Sequence, residues 1–108
     1  MQVFVTHDAA RDVDEICDYI EAHDSAQAAA YVYENIKEAV LGLAMAPLRG
    51  RVVPELERLG VLEYREVFFK PYRILFYVEG KRVFVFAVFD GRRELASIIQ
   101  RRLFGLGA

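Results

Sequence analysis

The amino-acid sequence predicts an α+β fold in one domain spanning residues 1–108: a short N-terminal strand, an antiparallel helical hairpin, a three-stranded antiparallel meander and a short C-terminal helix. Three observations carry this. Apolar residues recur at spacings of three and four through two early stretches that only His23-Asp24 separates. From Tyr64 onward, β-branched and aromatic residues crowd three runs broken at Pro71 and Gly80. Past Glu94 helical spacing returns, with Leu95, Ile98, Ile99 and Leu103 on one side.

Taken in order, Gln2 to Thr6 alternates briefly and reads as the first strand. Asp8 is placed to cap a helix whose stripe is Ala9, Val13, Ile16, Cys17 and Ile20. Ser25 caps a second helix to about Ala44, with Ala26, Ala29, Ala30, Tyr33, Ile36, Val40 and Leu43 as its stripe. Small residues at its start let the two helices approach closely. Pro47, Gly50 and Pro54 make the next stretch a loop, and Glu55 to Gly60 has room for one helical turn. The terminal helix is expected from Glu94 to Phe104, fraying into Gly105-Leu106-Gly107-Ala108.

Within the meander, a turn at Glu79-Gly80 pairs Val78 with Lys81. Ile74, Phe76, Val83, Val85 and Ala87 then share one face, and Arg73, Leu75, Tyr77, Arg82, Phe84, Phe86 and Asp90 share the other. Both faces are apolar enough to need a cover, and the helical hairpin covers only one. The terminal helix and a tightly bound partner are the candidates for the second, since an open patch of Leu75, Tyr77, Phe84 and Phe86 exceeds what a solitary protein tolerates.

Composition narrows the function classes. Hydrophobic residues make up 55% of 108, enough for a core without disulfides or a structural metal. No run of about 18 apolar residues exists to span a bilayer, and the N-terminus has no basic start leading into an apolar stretch. Cytoplasmic residence and no membrane partner are the expectations. The lone Cys17 lies on a helix stripe and reads as packing, and no Cys/His grouping has metal-ligand spacing. A net charge of −2 is not a nucleic-acid binder's balance, although Lys and Arg concentrate after Arg49 and acids crowd the first half. His7 and His23 lie at helix ends, where capping or surface roles suit them.

Pro47-Leu48-Arg49-Gly50, Val53-Pro54-Glu55-Leu56, Tyr64-Arg65-Glu66, Pro71-Tyr72-Arg73-Ile74-Leu75-Phe76-Tyr77 and Val88-Phe89-Asp90-Gly91-Arg92-Arg93 together resemble, in order and spacing, the signature of the ParE/RelE superfamily of toxins. The resemblance implies the toxin of a type II toxin–antitoxin pair, associated with plasmid stabilisation and held inactive by a cognate antitoxin that wraps over it in a hetero-oligomer. RelE-like members cleave messenger RNA on the ribosome, whereas ParE-like members act on DNA gyrase.

Metal-free RNA cleavage needs a base, an acid and cations for the phosphorane. Arg73 matches an arginine that RelE-like nucleases keep in this strand, Glu66 can serve as base and Tyr77 as acid. Asp90, however, stands where many relatives have a histidine before Gly-Arg-Arg, which removes the group best suited to proton transfer near neutral pH. The lysine-rich helix and loop of the nucleases are missing too. The expectation is therefore a ParE-like toxin that inhibits DNA gyrase by binding, without cofactor or metal and without sequence-specific nucleic-acid contacts. A RelE-type ribosome-dependent endonuclease and a non-toxic antitoxin-binding module are the alternatives. Arg65, Arg73, Tyr77, Phe84, Phe86, Asp90, Arg92 and Arg93 are the candidates for antitoxin or target binding. Arg65 and Arg73 are equally placed to pair with acids inside the sheet, and Asp90 to cap the terminal helix.

Overall fold

A computed structural model describes residues 1–103. Its elements are β1 (Gln2–Val5), α1 (His7–His23), α2 (Ala26–Gly42), β2 (Arg51–Val52), α3 (Pro54–Glu57), β3 (Tyr64–Phe69), β4 (Tyr72–Glu79), β5 (Arg82–Asp90) and α4 (Leu95–Leu103). The expected extension of α4 to Phe104 and the tail 105–108 lie outside the described residues. One five-stranded sheet runs β1-β5-β4-β3-β2, with β3, β4 and β5 antiparallel as the runs broken at Pro71 and Gly80 predict. β1 lies parallel to β5, so the first strand closes against the last. β2, only two residues long, pairs with β3 where the sequence predicts loop, because Gly50 and Pro54 bracket it too tightly to leave a pattern.

Helix α1 starts earlier than expected. Thr6, extended at ψ 159°, accepts the Ala9 amide at 3.2 Å and is the cap, which puts Asp8 in the first turn, where its charge favours the helix dipole. Ser25 caps α2 through the Ala28 amide at 3.0 Å, as its position predicts. On α2, Ala29, Ile36, Val40 and Leu43 are buried, but Ala26, Ala30 and Tyr33 are exposed, and Val32 and Ala39 turn partly inward instead. Cys17 packs between the helices with Sγ 3.9 Å from the Ala29 carbonyl. Burial, with Asp14 and Asp18 nearby, pushes its thiol above the ordinary range, which suits packing rather than nucleophilic chemistry.

The β4–β5 turn is Gly80-Lys81, with Glu79 opposite Arg82 and Gly80 at φ 62°. The expected pairing of Val78 with Lys81 is thus displaced by two positions, which leaves every side chain on its predicted face. A bulge then breaks the alternation: Phe76 faces Val85 but Leu75 faces Ala87, so Phe86 is an extra residue in β5. From there the faces swap. Ala87, expected beside Val85, joins Leu75 and Phe89, while Asp90 leaves the Arg73 face and pairs across from Tyr72.

The hairpin of α1 and α2 covers Val67, Ile74, Phe76, Val83, Val85 and Val88. The other face is covered from within the chain. Leu95, Ile98 and Ile99 of α4, with Val53 and Leu56, bury Leu75, Phe86, Ala87 and Phe89. The open apolar patch expected there is accordingly smaller: Leu75 and Phe86 are buried, and only Phe84 and Tyr77 stay half-exposed. A nine-residue helix is not stable alone. Its three buried aliphatic side chains, worth at most about 1.5–3 kcal/mol each, hold α4 to the sheet.

Candidate functional site

Three groupings carry the candidate residues. The first is a buried ionic cluster under α3. Pro54 at the helix start orients Glu55, and β3 and β4 present Glu66 and Arg73 on the α4 face. Arg73, 8% exposed, donates Nε to Glu66 Oε1 at 2.6 Å and Nη2 to Glu66 Oε2 at 3.0 Å. It also grips Glu55 through Nη1 and Nη2 at 2.8 and 2.9 Å. Arg51 donates to the same Glu66 at 2.9 Å. Two carboxylates hold the Arg73 guanidinium firmly in its charged form, and Arg73 in turn draws the Glu55 carboxyl below its ordinary range. Arg65 points to the hairpin side and donates to the Gly50 carbonyl at 2.8 Å. Arg73 is therefore spent on acids inside the fold, as one of the two expectations had it, whereas half-buried Arg65 bonds a backbone carbonyl and no acid, and Glu66 has no exposed surface.

The second is an aromatic ladder across the strands beyond the end of α4. Phe4 stacks on Phe84 at 5.4 Å and Phe84 on Tyr77 at 5.2 Å, while Tyr64 meets Tyr77 and Phe86 edge-on. Arg82 lies 5.9 Å from the Phe4 ring. Stacking of this kind adds about 0.5–1.5 kcal/mol per pair to simple burial. Tyr77, Phe84 and Phe86 thus come together as expected, with Phe86 buried beneath α4.

The third is the turn after β5. Asp90 Oδ1 accepts both the Arg92 amide and Arg92 Nε at 2.9 Å, and Oδ2 accepts Nη2 at 2.5 Å. The aspartate caps this turn and not α4, which begins only at Leu95. Arg93 is exposed beside Glu94 at the mouth of a groove of about 710 Å³ between α3 and α4. Asp90, Arg92 and Arg93 lie at the opposite end of β5 from Phe84, about 20 Å along the strand. The candidate binding residues therefore make two surfaces, not one.

Arg92 lowers the Asp90 carboxyl from 3.8 to about 2. A depressed folded-state value means that its stabilising contribution is present above the unfolded value and is lost as pH falls through the folded one. The expected result is that the Asp90 carboxyl, followed by NMR of its carbon, stays ionised at pH 3, and that Arg92→Ala, which removes the side-chain bonds but keeps the backbone amide, raises its midpoint toward the usual aspartate range. An unchanged midpoint in that variant contradicts the assignment.

His23 Nδ1 sits 2.9 Å from the Tyr19 carbonyl with its ring stacked on Tyr19, a helix-end role, and His7 is exposed at the start of α1. No cluster of three His, Cys, Asp or Glu side chains suited to a metal occurs among the described residues, and no helix there is long and apolar enough to cross a membrane. Two residues escaped the sequence reading: Asp12 and Arg102, which pair with each other across β5 at 2.8 and 2.5 Å. The signal for Asp12 was its position three after Ala9, inside the apolar stripe and not opposite it.

Among known proteins, a solved structure titled "Chromosomal ParDE TA system from P. aeruginosa" shares this fold with a TM-score of 0.70 and 24% identity, over 83% of this chain and 95% of that one. No curated protein sequence matches the chain. Residues 3–95 match the family described as "ParE toxin of type II toxin-antitoxin system, parDE". Nearly the whole described sheet and both hairpin helices fall within that match, and the chain belongs to the ParE toxin family of type II toxin–antitoxin systems.

Proposed function

We propose that this protein acts in the cytoplasm by binding DNA gyrase, and that a cognate antitoxin neutralises it by occupying its exposed surfaces. The observation that carries the choice of binding over RNA cleavage is the state of Arg73. Four of its five N–H donors go to Glu66 and Glu55, and with 8% of the residue exposed the single remaining Nη1–H is a poor substitute for a guanidinium fork open to a phosphorane. Glu66 is equally committed, with its carboxylate between Arg73 and Arg51. Family membership supports the antitoxin partner and a hetero-oligomer. Arg92 and Arg93 at one end of the sheet, and Tyr77 and Phe84 at the other, are the accessible candidates for these contacts.

The test joins three measurements on the full chain expressed without an antitoxin: growth, supercoiling by purified gyrase and integrity of messages. The reading expects arrested growth, inhibited supercoiling and intact messages. Codon-positioned message cuts with normal supercoiling overturn it in favour of the nuclease. Normal growth at high soluble expression overturns the toxin reading altogether.

A further inference from the structure

The pair formed by Asp12 and Arg102 stands outside everything assigned above. β1 ends at Val5, opposite Val85, so β5 runs on beyond it with a bare edge. At that edge the bulge leaves the Phe86 carbonyl and the Val88 amide without strand partners. Asp12 Oδ2, reaching from α1 on one side of the sheet, accepts the Val88 amide at 2.9 Å. Arg102, reaching from α4 on the other side, donates Nη1 to the Phe86 carbonyl at 2.8 Å and closes on Asp12 with both Nη1 and Nη2. Asp8 adds a weaker contact at 3.8 Å. One carboxylate thus ties together α1, the bulge and α4.

Among the described residues, the remaining hold on α4 is the apolar packing of Leu95, Ile98 and Ile99, with Leu103 partly buried beside them, and its leading turn, Gly91 to Glu94, is exposed. We propose that α4 is a cover that lifts from the sheet as a unit, and that Asp12 sets how often it does so. Segments with few buried contacts open locally at free energies well below that of global unfolding. Here the charge-assisted clamp at the far end of the helix governs the opening. Because Asp12 belongs to α1, a contact that draws this carboxylate away on the hairpin side loosens the helix on the opposite side of the sheet. The two faces are energetically coupled.

The test places a thiol in the layer beneath α4. In a Cys17→Ser background, Ala87→Cys reports opening of α4, and Val83→Cys, under the helical hairpin, reports global unfolding. Arg102→Gln removes the clamp. Asp12→Asn keeps an acceptor for the Val88 amide and removes only the charge, so it protects against a variant that merely fails to fold. Each is expected to raise the labelling rate at position 87 by about ten- to a hundredfold in the absence of denaturant, with position 83 unchanged. The double variant should label no faster than the quicker single one. Equal acceleration at both thiols, no acceleration at 87, or additive effects of the two substitutions overturns the proposal.

Discussion

Replacing Arg73 by alanine is expected to cost about 3–5 kcal/mol of folding stability and to lower Tm by roughly 10–20 °C. The deletion leaves Glu66, which has no exposed surface, facing Arg51 alone from a dry site. The cost is the desolvated charge left behind and not the worth of the ion pair. Glu55, whose side chain is 39% exposed, finds water and adds little. Removing both buried partners together, in Arg73→Met with Glu66→Leu, is therefore expected to cost less than Arg73→Ala alone. Calorimetry or urea unfolding of the three variants checks this, and a loss under 1 kcal/mol for Arg73→Ala contradicts the cluster as described. One consequence bears on toxicity assays. Loss of growth arrest in Arg73→Ala reports unfolding unless soluble protein is measured beside it.

Gly50→Ala is expected to follow, at about 3 kcal/mol. A Cβ on Gly50 would sit 2.5 Å from the Glu66 carbonyl oxygen and 3.0 Å from Phe76 Cε1. The first contact is with backbone, which has no rotamer to escape into, and Phe76 is completely buried. Strand β2 must withdraw from β3, weakening the Arg65 hydrogen bond to the Gly50 carbonyl and the reach of Arg51 to Glu66. Gly60→Ala is the contrast. It carries the strain of φ +80° but meets nothing within 4 Å, so roughly 1 kcal/mol is expected. Equal effects at the two glycines would show that the close approach at Gly50 is relieved without cost.

The meander was legible because β-branched and aromatic residues crowd its runs between breaks at Pro71 and Gly80, and the helices because their apolar residues recur at helical spacing, as Leu95, Ile98 and Ile99 do. The misplaced strand faces have one physical root. Alternation fixes the faces of a strand only while no residue is inserted, and the bulge at Phe86 moved Ala87 and Asp90 to faces opposite those expected. The motif that carried the family resemblance was unaffected, since it rests on order and spacing and not on facing. In the candidate site, the pairing of Arg73 was among the readings open to the sequence, but its partners were not fixed. Glu55 and Glu66 belong to different elements, and only the fold brings them to one guanidinium. Asp12 was passed over among the solvated acids of α1, although its place within the stripe marked it as different.

The parallel pairing of β1 with β5 also governs when this molecule exists during its own synthesis. Gln2 pairs with Arg82, so β1 waits for some eighty further residues before it has a neighbour. Non-local closure of this kind slows folding and leaves an apolar strand uncovered meanwhile. A nascent chain interrupted before β5 cannot complete its sheet. Recognition by anything that reads the finished sheet begins only once β5 has been made.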